Sequence, residues 1–467
     1  MSFSKRHATL VSCLGLFAFC GLSGAAQASG FALREQSAEG LGDAFAGQTA
    51  KAYNASTVFY NPAGMTNLND SEVAGTTTWI SPVSQFKGSN TNVVGGTVAG
   101  RDDVNAIKAA AIGSVFGVWN ASPDLKIGLS VATPFGMRSD YKGDWVGRYQ
   151  ALASDVTDVD VSVVAAYKID DHLSIGGGPR IDYLKARLSQ AVNFKAIGLG
   201  AASQAQAAAT AAAAASQPAL AAAYAAQATS LATGAASWGD GLSKVEGDDI
   251  GAGYNVGLLY VFNPQTRVGL DYRSRSNHTL SGTVTNQTPT TLASSIASSF
   301  TNQDATAKIT LPDSVNLGGY HELDSRWAIL SDVQWTHWSL FKQLNVIGAN
   351  GQLISSTPEN WHDTWFVSLG AHYKADDKWT LRGGVAFDQS PVKTEDRTAR
   401  IPDSNRYWLS AGASYAITPS AEVHLGYTHI FADKASISES ANRFAGVLTG
   451  TYDNSVDIVS TSFVVRF

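Results

Sequence analysis

A short pattern that returns at irregular intervals constrains the fold of this chain more than any other feature. An aromatic residue is followed three positions later by Asp, Asn, Ser or Thr, and eight positions later by an aliphatic residue. The aromatic residues are Trp119, Tyr167, Tyr260, Tyr373 and Tyr415. Before each copy, apolar and polar side chains alternate, which places the apolar ones on one face of a β-strand. The polar segment then predicts a tight turn, so we expect a series of hairpins.

The spacing of turns and loops predicts which kind of sheet these hairpins form. A sixth turn, at 323–326, follows Tyr320 with one additional residue, whereas long polar connections lie at 137–156, 196–248 and 280–306. Short turns at one end, long loops at the other and about ten alternating residues between them are typical of transmembrane β-barrels. The repeated aromatic residue is then expected to mark the girdle at the periplasmic interface. A soluble β-sandwich is the alternative, but a fixed aromatic residue before successive turns is less expected there.

A count of strands gives the size of the barrel. Six turns join twelve strands, and we expect one more strand near 72–86 and a last one at 455–467. The total of fourteen is even, as it is in single-chain bacterial barrels. On the last strand Phe463, Val465 and Phe467 share one face, and this pattern resembles the signal that the outer-membrane insertion machinery reads. The prediction is an all-β, 14-stranded antiparallel transmembrane β-barrel in the outer membrane of a Gram-negative bacterium.

Residues 1–28 have the features of a secretory signal peptide. Lys5 and Arg6 precede an apolar stretch at 8–22, and an A-x-A site at 26–28 predicts cleavage after Ala28. A short membrane anchor is the alternative for this segment. Both cysteines of the chain lie within it, so the mature protein is expected to have neither a disulfide framework nor thiolate chemistry.

The composition argues against several other classes of protein. Charged residues make up 15% of the chain, against about 25% in typical globular domains. No run of about 20 apolar residues follows the N-terminal segment, which excludes helical membrane spans. The formal net charge is −6 and basic residues are not clustered, so nucleic-acid binding is not expected.

The residues between the signal and the first strand predict a plug. They are too few for an independent domain, they allow a short helix at 38–46, and they contain a turn at Asn61, Pro62 and Ala63. Such a segment needs another surface, and the barrel lumen is the available one. We therefore divide the chain into a signal peptide (1–28), an N-terminal hatch (29–70) and a barrel (71–467) with a long Ala-rich extracellular loop at about 196–248.

Three stretches resemble a known family. "SGF…GLGDAFAG…FYNPAGM" is similar to the hatch of the FadL/TodX family of outer-membrane transporters for long-chain fatty acids and hydrocarbons. "TPFGMRSDYKGDWVGRY" (133–149) resembles the third strand and following loop of that family. "LRGGVAFDQSPV…RTARIPDSNRYWLSAGASY" (381–415) resembles its C-terminal third. The family fold is a fourteen-stranded barrel with a hatch, which agrees with the independent strand count.

The resemblance implies passive transport of a hydrophobic molecule, with no enzyme activity and no cofactor. Ligand would bind outside, the hatch would shift, and ligand would leave sideways through a gap in the wall. Burying about fifteen methylenes at ~0.8 kcal/mol each gives on the order of 12 kcal/mol gross, so a carrier must offer an apolar path and then release its cargo. Long-chain fatty acids are the first candidate, and aromatic or aliphatic hydrocarbons are the alternative.

The resemblance also assigns roles within the hatch and the third strand. Pro134, Phe135 and Gly136 would form the kink that opens the wall, since Pro cannot donate to a sheet ladder and Gly weakens it; an ordinary outer strand end is the alternative. Phe31 and Leu33 would form the mobile gate along the apolar passage, together with Phe135.

Two further assignments concern the hatch turn and the ligand head group. Asn61, Pro62 and Ala63 resemble the family hatch motif, in which Asn can bond the barrel backbone; a plain reversing turn is the alternative. Lys185 and Arg187 resemble the family stretch with a basic ligand residue, and they could meet either a ligand carboxylate inside or sugar phosphates outside. A second basic ligand residue of the family has no clear match near 358–361, which keeps hydrocarbons open.

The remaining predictions concern partners and competing functions. The Ala-rich loop favours two helices, with a break at Ser216 and Pro218, that form part of an initial ligand groove or act only as a spacer. No G-x-S-x-G, H-E-x-x-H or cluster of metal ligands supports a hydrolase or a metal site, and the hatch argues against a non-specific diffusion porin. The expected partners are a hydrophobic ligand, outer-membrane lipid and lipopolysaccharide, and the insertion machinery, with the protein a monomer.

Overall fold

A closed barrel of fourteen antiparallel strands forms the body of the molecule. The computed structural model describes residues 30–92, 96–442 and 444–467, so the predicted signal peptide lies outside the described residues. The first and last strands close the seam, from Glu72 opposite Arg466 to Thr91 opposite Val447. The predicted all-β class and the predicted number of strands are both confirmed.

Several barrel strands are interrupted and continue as two segments. A further short strand, Asp103–Asn105, pairs with the first barrel strand. The fourteen barrel strands, β1 to β14 in chain order, are Glu72–Thr91; Ala110–Asn120; Leu125–Ala132 with Gly136–Asp140; Ala153–Lys168; Leu173–Asn193; Asp240–Asn263; Thr266–Arg273 with Ser276–Gln287; Gln303–Leu311 with Ser314–Glu322; Trp327–Thr336 with Gln343–Gly348; Leu353–Pro358 with Thr364–Lys374; Trp379–Asp388; Arg406–Thr418; Ala421–Ala432 with Ala435–Glu439; and Val447–Arg466.

The alternation along the strands separates an apolar outside from a polar inside. Leu369 and Leu409 are 60% and 55% exposed, whereas the neighbouring Ser368 and Ser410 are buried in the lumen. The five aromatic residues of the repeat lie on the outer face, and Tyr373 and Tyr415 pack against Trp327 and Trp379 with ring centroids 4.7 Å apart. This apolar surface suits lipid.

Tyr320, beside the sixth turn, does not belong to this girdle. It is only 5% exposed and its ring meets Tyr53 of the hatch in the lumen, at a centroid distance of 5.7 Å. The one extra residue between Tyr320 and the turn reverses the phase of the strand, because side chains alternate between the two faces. Trp327, which is 45% exposed, takes the outer position at this turn.

After an extended segment, the hatch contains two short helices and a 3-10 turn. They are α1 (Ala38–Gly42), α2 (Thr57–Tyr60) and the turn Pro62–Asn67. Ser37 caps α1, since its Oγ accepts a hydrogen bond from the backbone N–H of Gly40. The predicted helix at 38–46 extends too far, because Ala44 and Phe45 adopt φ values of 55° and 57° and end it.

The hatch packs directly on the inner backbone of nine strands. At each contact the strand presents a glycine, and a Cβ atom there would overlap an atom of the hatch. We call these residues the glycine belt. They are Gly128, Gly176, Gly257, Gly269, Gly318, Gly370, Gly384, Gly412 and Gly426. The belt lets two backbones approach more closely than any side chain allows.

Two antiparallel helices stand on the long-loop end of the barrel. They are α3 (Phe194–Ala214) and α4 (Pro218–Ser237); Ser216 takes a φ of 57° at the break, and strand pairing resumes at Asp240. A short helix, α5 (Ser294–Ala297), packs beside their base. Short 3-10 turns cover Ser298–Phe300, Trp338–Leu340 and Thr394–Asp396. In the described residues, no helix combines the length and apolarity needed to span a membrane.

Candidate functional site

The third strand is broken, and the break leaves a gap in the wall. Its first segment pairs with both neighbours, whereas Gly136–Asp140 forms a ladder with β4 and, on its other side, an isolated bridge from Ser139 to Ile107. On the other side, residues 110–114 of β2 pair with β1 and, among the described strands, have no ladder partner in β3. Pro134 lies in the break, where its missing N–H leaves no ladder bond to satisfy.

The start of the hatch covers this break from the inside. Ala32 forms an isolated antiparallel bridge with Phe135. The N–H of Leu33 donates to the carbonyl of Pro134 at 2.7 Å, and the N–H of Gly136 donates to the carbonyl of Phe31 at 2.8 Å. The N-terminal strand of the hatch therefore supplies backbone bonds that a neighbouring barrel strand would otherwise make.

Phe31 is enclosed by other aromatic rings. We call the four rings around it the aromatic cage, with centroids between 4.9 and 6.1 Å from that of Phe31. They are Phe135, Trp338, Phe341 and Trp361. Gly30, with a φ of 65°, lies against Trp361 and leaves no room for a side chain. Phe31 and Phe135, both predicted for the passage, thus meet in one cluster.

Phe31 separates two cavities of different chemistry. The outer cavity lies on the long-loop side, and its walls are mainly apolar side chains with Arg400 and Glu359 among them. Among its apolar residues are Phe31, Val156, Leu184, Ala186, Leu280, Phe341 and Ile401. Such a cavity, apolar with a few polar groups, is typical of a site for a hydrophobic ligand with a polar end.

The inner cavity lies on the other side of the cage, next to the wall gap. Leu33, Pro134 and Phe135 line it together with charged and amide side chains of the lumen. Several of its buried polar groups have an atom without a hydrogen-bond partner in the described structure: Arg34, Gln48, Asp271, Arg273 and Asn316. Buried polar groups of this density require water, so the inner cavity is the wetter of the two.

Arg400 is the basic residue of the outer cavity, and the sequence reasoning missed it as a site residue. Its Nη1 donates to the carbonyls of Ala153 and Ser189 at 3.3 and 3.2 Å, and its Nη2 donates to Gln190 Oε1 at 2.8 Å. These bonds fix the guanidinium at the rim between β4 and β5. The residue lies in the loop "RTARIPD", where no strand alternation predicts the direction of a side chain.

Lys185 and Arg187 lie on the outside of the barrel. Both are exposed, whereas Leu184, which directly precedes Lys185, is fully buried and lines the outer cavity. Their cross-strand partners are Asp248 and Glu246. The expectation that they hold a ligand carboxylate in the lumen is therefore wrong, because the alternation along the strand places these two side chains on the opposite face from the cavity.

The hatch turn bonds to the barrel through Asn61. Its Nδ2 donates to the carbonyls of Thr49 and Leu258 at 2.7 and 2.9 Å, and its Oδ1 accepts from the N–H of Ala63 at 3.1 Å. Pro62 and Ala63 lie against the backbone at Gly176. This arrangement joins the hatch to the wall and closes its own turn at the same time.

Charged groups hold the part of the hatch around Asp43 and Lys51. Lys51 Nζ and His372 Nε2 each lie 2.7 Å from Asp43 Oδ2. Burial alone would raise the pKa of Asp43, but Lys51 and His372 hold it below its usual value. Glu35 differs, since neither of its carboxylate oxygens has a hydrogen-bond partner in the described structure, and burial raises its pKa to about 7.

The predicted insertion signal lies on the outer face of β14. Phe463 and Phe467 are 41% and 54% exposed, and Val465 lies between them in the same phase. The predicted residues therefore share the outer, lipid-facing side of the strand, and their role as an insertion signal stays a prediction.

Comparisons with known proteins decide the family. The profile of the family described as "Outer membrane protein transport protein (OMPP1/FadL/TodX)" matches residues 19–467. The chain belongs to this family. It is 28% identical to outer membrane protein P1 of Haemophilus influenzae over 430 residues, covering 89% of each chain. It is 27% identical to the long-chain fatty acid transport protein of Escherichia coli, covering 91% of this chain and 92% of that protein.

Solved structures share the fold. A Pseudomonas aeruginosa FadL homologue matches with a TM-score of 0.82 at 22% identity, covering 94% of this chain and 100% of that one. The Pseudomonas putida toluene transporter TodX matches with a TM-score of 0.60 at 15% identity, covering 87% and 92%. This FadL/TodX-family protein is an outer-membrane transport protein and not an enzyme, as predicted.

Proposed function

We propose that this FadL/TodX-family protein takes up long-chain fatty acids by passive lateral diffusion. The observation that supports this most strongly is the apolar outer cavity, which contains one arginine and is separated by Phe31 from a gap in the wall. Arg400 would attract the carboxylate, and the alkyl chain would lie along Leu184 and Leu280. Relatives named long-chain fatty acid transport proteins agree with this substrate.

The energetics require an exit into lipid. An alkyl chain gains about 0.8 kcal/mol for each methylene that leaves water, and it would lose that gain on release into water. Release through the gap beside Phe135 transfers the chain from one apolar environment to another. The net transfer then needs no energy source, and the concentration difference drives it. Movement of Phe31 and Leu33 away from Phe135 would join the outer cavity to the gap.

The outer surface supports collection of ligand. Ile197 of α3 and Phe300 line the polar mouth that leads to the outer cavity, so the helical hairpin would form part of an initial groove. Lys185 and Arg187 lie further from Leu173 than the roughly nine to eleven residues that a transmembrane strand needs. They would therefore meet the sugar phosphates of lipopolysaccharide, which is the second role weighed for them.

Aromatic hydrocarbons are the second candidate, and the aromatic cage favours them. Four rings already accommodate a phenyl group at the position of Phe31, and aromatic pairs add about 0.5–1.5 kcal/mol beyond burial. A small aromatic ligand would need no partner for a charged group, so Arg400 would be irrelevant to it.

An uptake experiment separates the two candidates. Cells that lack their own transporters of this family would express the wild type, R400Q or R326Q, and uptake of labelled oleate and toluene would be measured. We expect R400Q to reduce saturable oleate uptake at least tenfold and to leave toluene uptake unchanged. R326Q, in an exposed periplasmic turn, is the matched control and should transport both. Wild-type levels of oleate uptake by R400Q would contradict the fatty-acid proposal.

A further inference from the structure

We propose that Asp403 is a positioning residue for the gate. It holds the N-terminal strand of the hatch against the wall gap, and a ligand in the outer cavity loosens that hold through the loop segment 400–403. This inference rests on the proposed function, because it gives the same passage a trigger. The long loop before β12 would then connect the binding of ligand to the movement of Phe31.

Asp403 bonds directly to the start of the hatch. Its Oδ2 accepts a hydrogen bond from the backbone N–H of Gly30 at 3.0 Å, although the two residues lie 373 positions apart in the chain. The side chain is buried, and in a buried setting a hydrogen bond to a carboxylate is stronger than one between neutral groups. Because Gly30 directly precedes Phe31, this bond fixes the backbone beside the aromatic cage.

Release of Gly30 would not leave the carboxylate of Asp403 unpaired. Its Oδ2 also accepts a hydrogen bond from Ser390 Oγ at 2.9 Å. Its Oδ1 accepts one from the N–H of Ser404 at 2.8 Å and another from the guanidinium of Arg406. A buried carboxylate that keeps these donors avoids the cost of an uncompensated charge. The bond to Gly30 can therefore open and close reversibly.

 

The loop segment that carries Asp403 also lines the outer cavity. Arg400 and Ile401 form part of the cavity wall, and Pro402 joins them to Asp403. Proline fixes its own φ and restricts the residue before it, so this segment is a stiff piece of chain. A ligand carboxylate binds a guanidinium more strongly than a carbonyl does, so it would draw Arg400 away from the carbonyls of β4 and β5. Asp403 would move with the segment, and its bond to Gly30 would lengthen.

The reactivity of a single cysteine measures the gate in the purified full-length protein in detergent. The mature chain is expected to have no cysteine of its own, so L33C places one thiol at a buried position that lines the inner cavity. D403N removes the negative charge and one of the two oxygen acceptors. We expect it to raise the rate at which a methanethiosulfonate reagent modifies L33C about tenfold. V58C, a buried site in α2, should keep its rate, which distinguishes a released gate from a loosened fold.

Ligand should act on the same bond. Saturating 9,10-dibromostearate should raise the modification rate of L33C several-fold while Asp403 is present. After D403N the same ligand should change that rate less than twofold, because the bond to Gly30 is already weakened. E395Q, at an exposed glutamate of the same loop, should keep both the original rate and the effect of ligand. Equal rates at L33C with and without D403N would overturn the role of Asp403.

Hydrogen exchange of the unmodified protein is a second measurement, which needs no substitution at Asp403. Saturating dibromostearate should speed amide exchange in peptides that cover 30–36 and 399–405 together, and leave exchange at 48–60 unchanged. Ligand that binds without changing exchange at 30–36 would overturn the inference. Absence of saturable binding, measured as quenching of tryptophan fluorescence by the same probe, would instead overturn the proposed function.

Discussion

Gly257 lies where the lumen has no room for a side chain larger than a hydrogen atom. A Cβ atom at this position would overlap Oδ1 of Asn61, the residue that bonds the hatch to the wall. Gly383 of β11 differs, since its nearest contact would be the carbonyl of Ser410 at 3.9 Å. Glycine is therefore needed for close approach at position 257, whereas position 383 should tolerate substitution.

The first prediction follows from this pair. G257A should displace Asn61 and destabilise the folded protein by about 1–3 kcal/mol, the usual range for overpacking. G383A should behave as the wild type, and both can be compared by the temperature at which the folded band in gel electrophoresis is lost. Equal midpoints for the two variants would show that the hatch does not depend on the close approach.

Glu35 leads to a prediction about how the stability of the folded protein depends on pH. Its carboxyl group ionises near pH 4.5 in an unfolded chain, and burial raises the pKa to about 7 in the folded hatch. The stabilisation of the neutral form is complete below pH 4.5 and is lost as the pH rises through 7. E35Q should therefore raise stability at pH 8.5, by at most about 3 kcal/mol, and leave it nearly unchanged at pH 4.5. E395Q, at an exposed site, should have no effect at either pH.

Alternation of apolar and polar side chains predicted the strands well and the loops poorly. Six turns and fourteen strands could be counted because a period of two and a turn are local signals. The faces of Lys185 and Tyr320 could not be assigned securely, because one extra residue reverses the phase of a strand. Arg400 and Glu359 lie in irregular segments, and their meeting depends on how distant loops fold over the lumen.

The break in β3 leads to a prediction that tests the lateral exit. A Cβ atom at Gly136 would come within 2.9 Å of Leu33 Cδ1, so G136V should press on the gate and fill the gap. We expect G136V to reduce uptake of oleate several-fold while its binding to the outer cavity persists. G143V, in a loop where a Cβ would meet nothing within 4 Å, is the matched control. Unchanged uptake by G136V would argue against the lateral exit.

The whole molecule is a barrel whose interior is filled by its own N-terminal segment. The hatch is bonded to the broken strand at 31–33, to the carbonyl of Leu258 through Asn61, and to His372, whose Nε2 lies 2.7 Å from Asp43 Oδ2. Only the first of these three attachments lies beside the wall gap. For the lateral passage that we propose, a shift confined to the segment around Phe31 would therefore be sufficient, and the other two attachments would keep the lumen closed to the periplasm.

Removal of the hatch tests this division. A variant lacking residues 30–67 should allow liposomes to swell rapidly in small sugars, because the belt and the polar lumen would then line an open pore. The wild type should not support swelling. Rapid, unselective swelling with the wild type would indicate a diffusion porin and would contradict a lumen closed by the hatch.

The glycine belt also bears on the order in which the protein is built. Clearance between the wall and the hatch is smaller than a methyl group at nine strands, so we expect that a folded hatch does not enter a finished cylinder. We expect the wall to form around the hatch, with the pairing of β1 and β14 closing last. The hatch also precedes every barrel strand along the chain, so it is synthesised before the wall that encloses it.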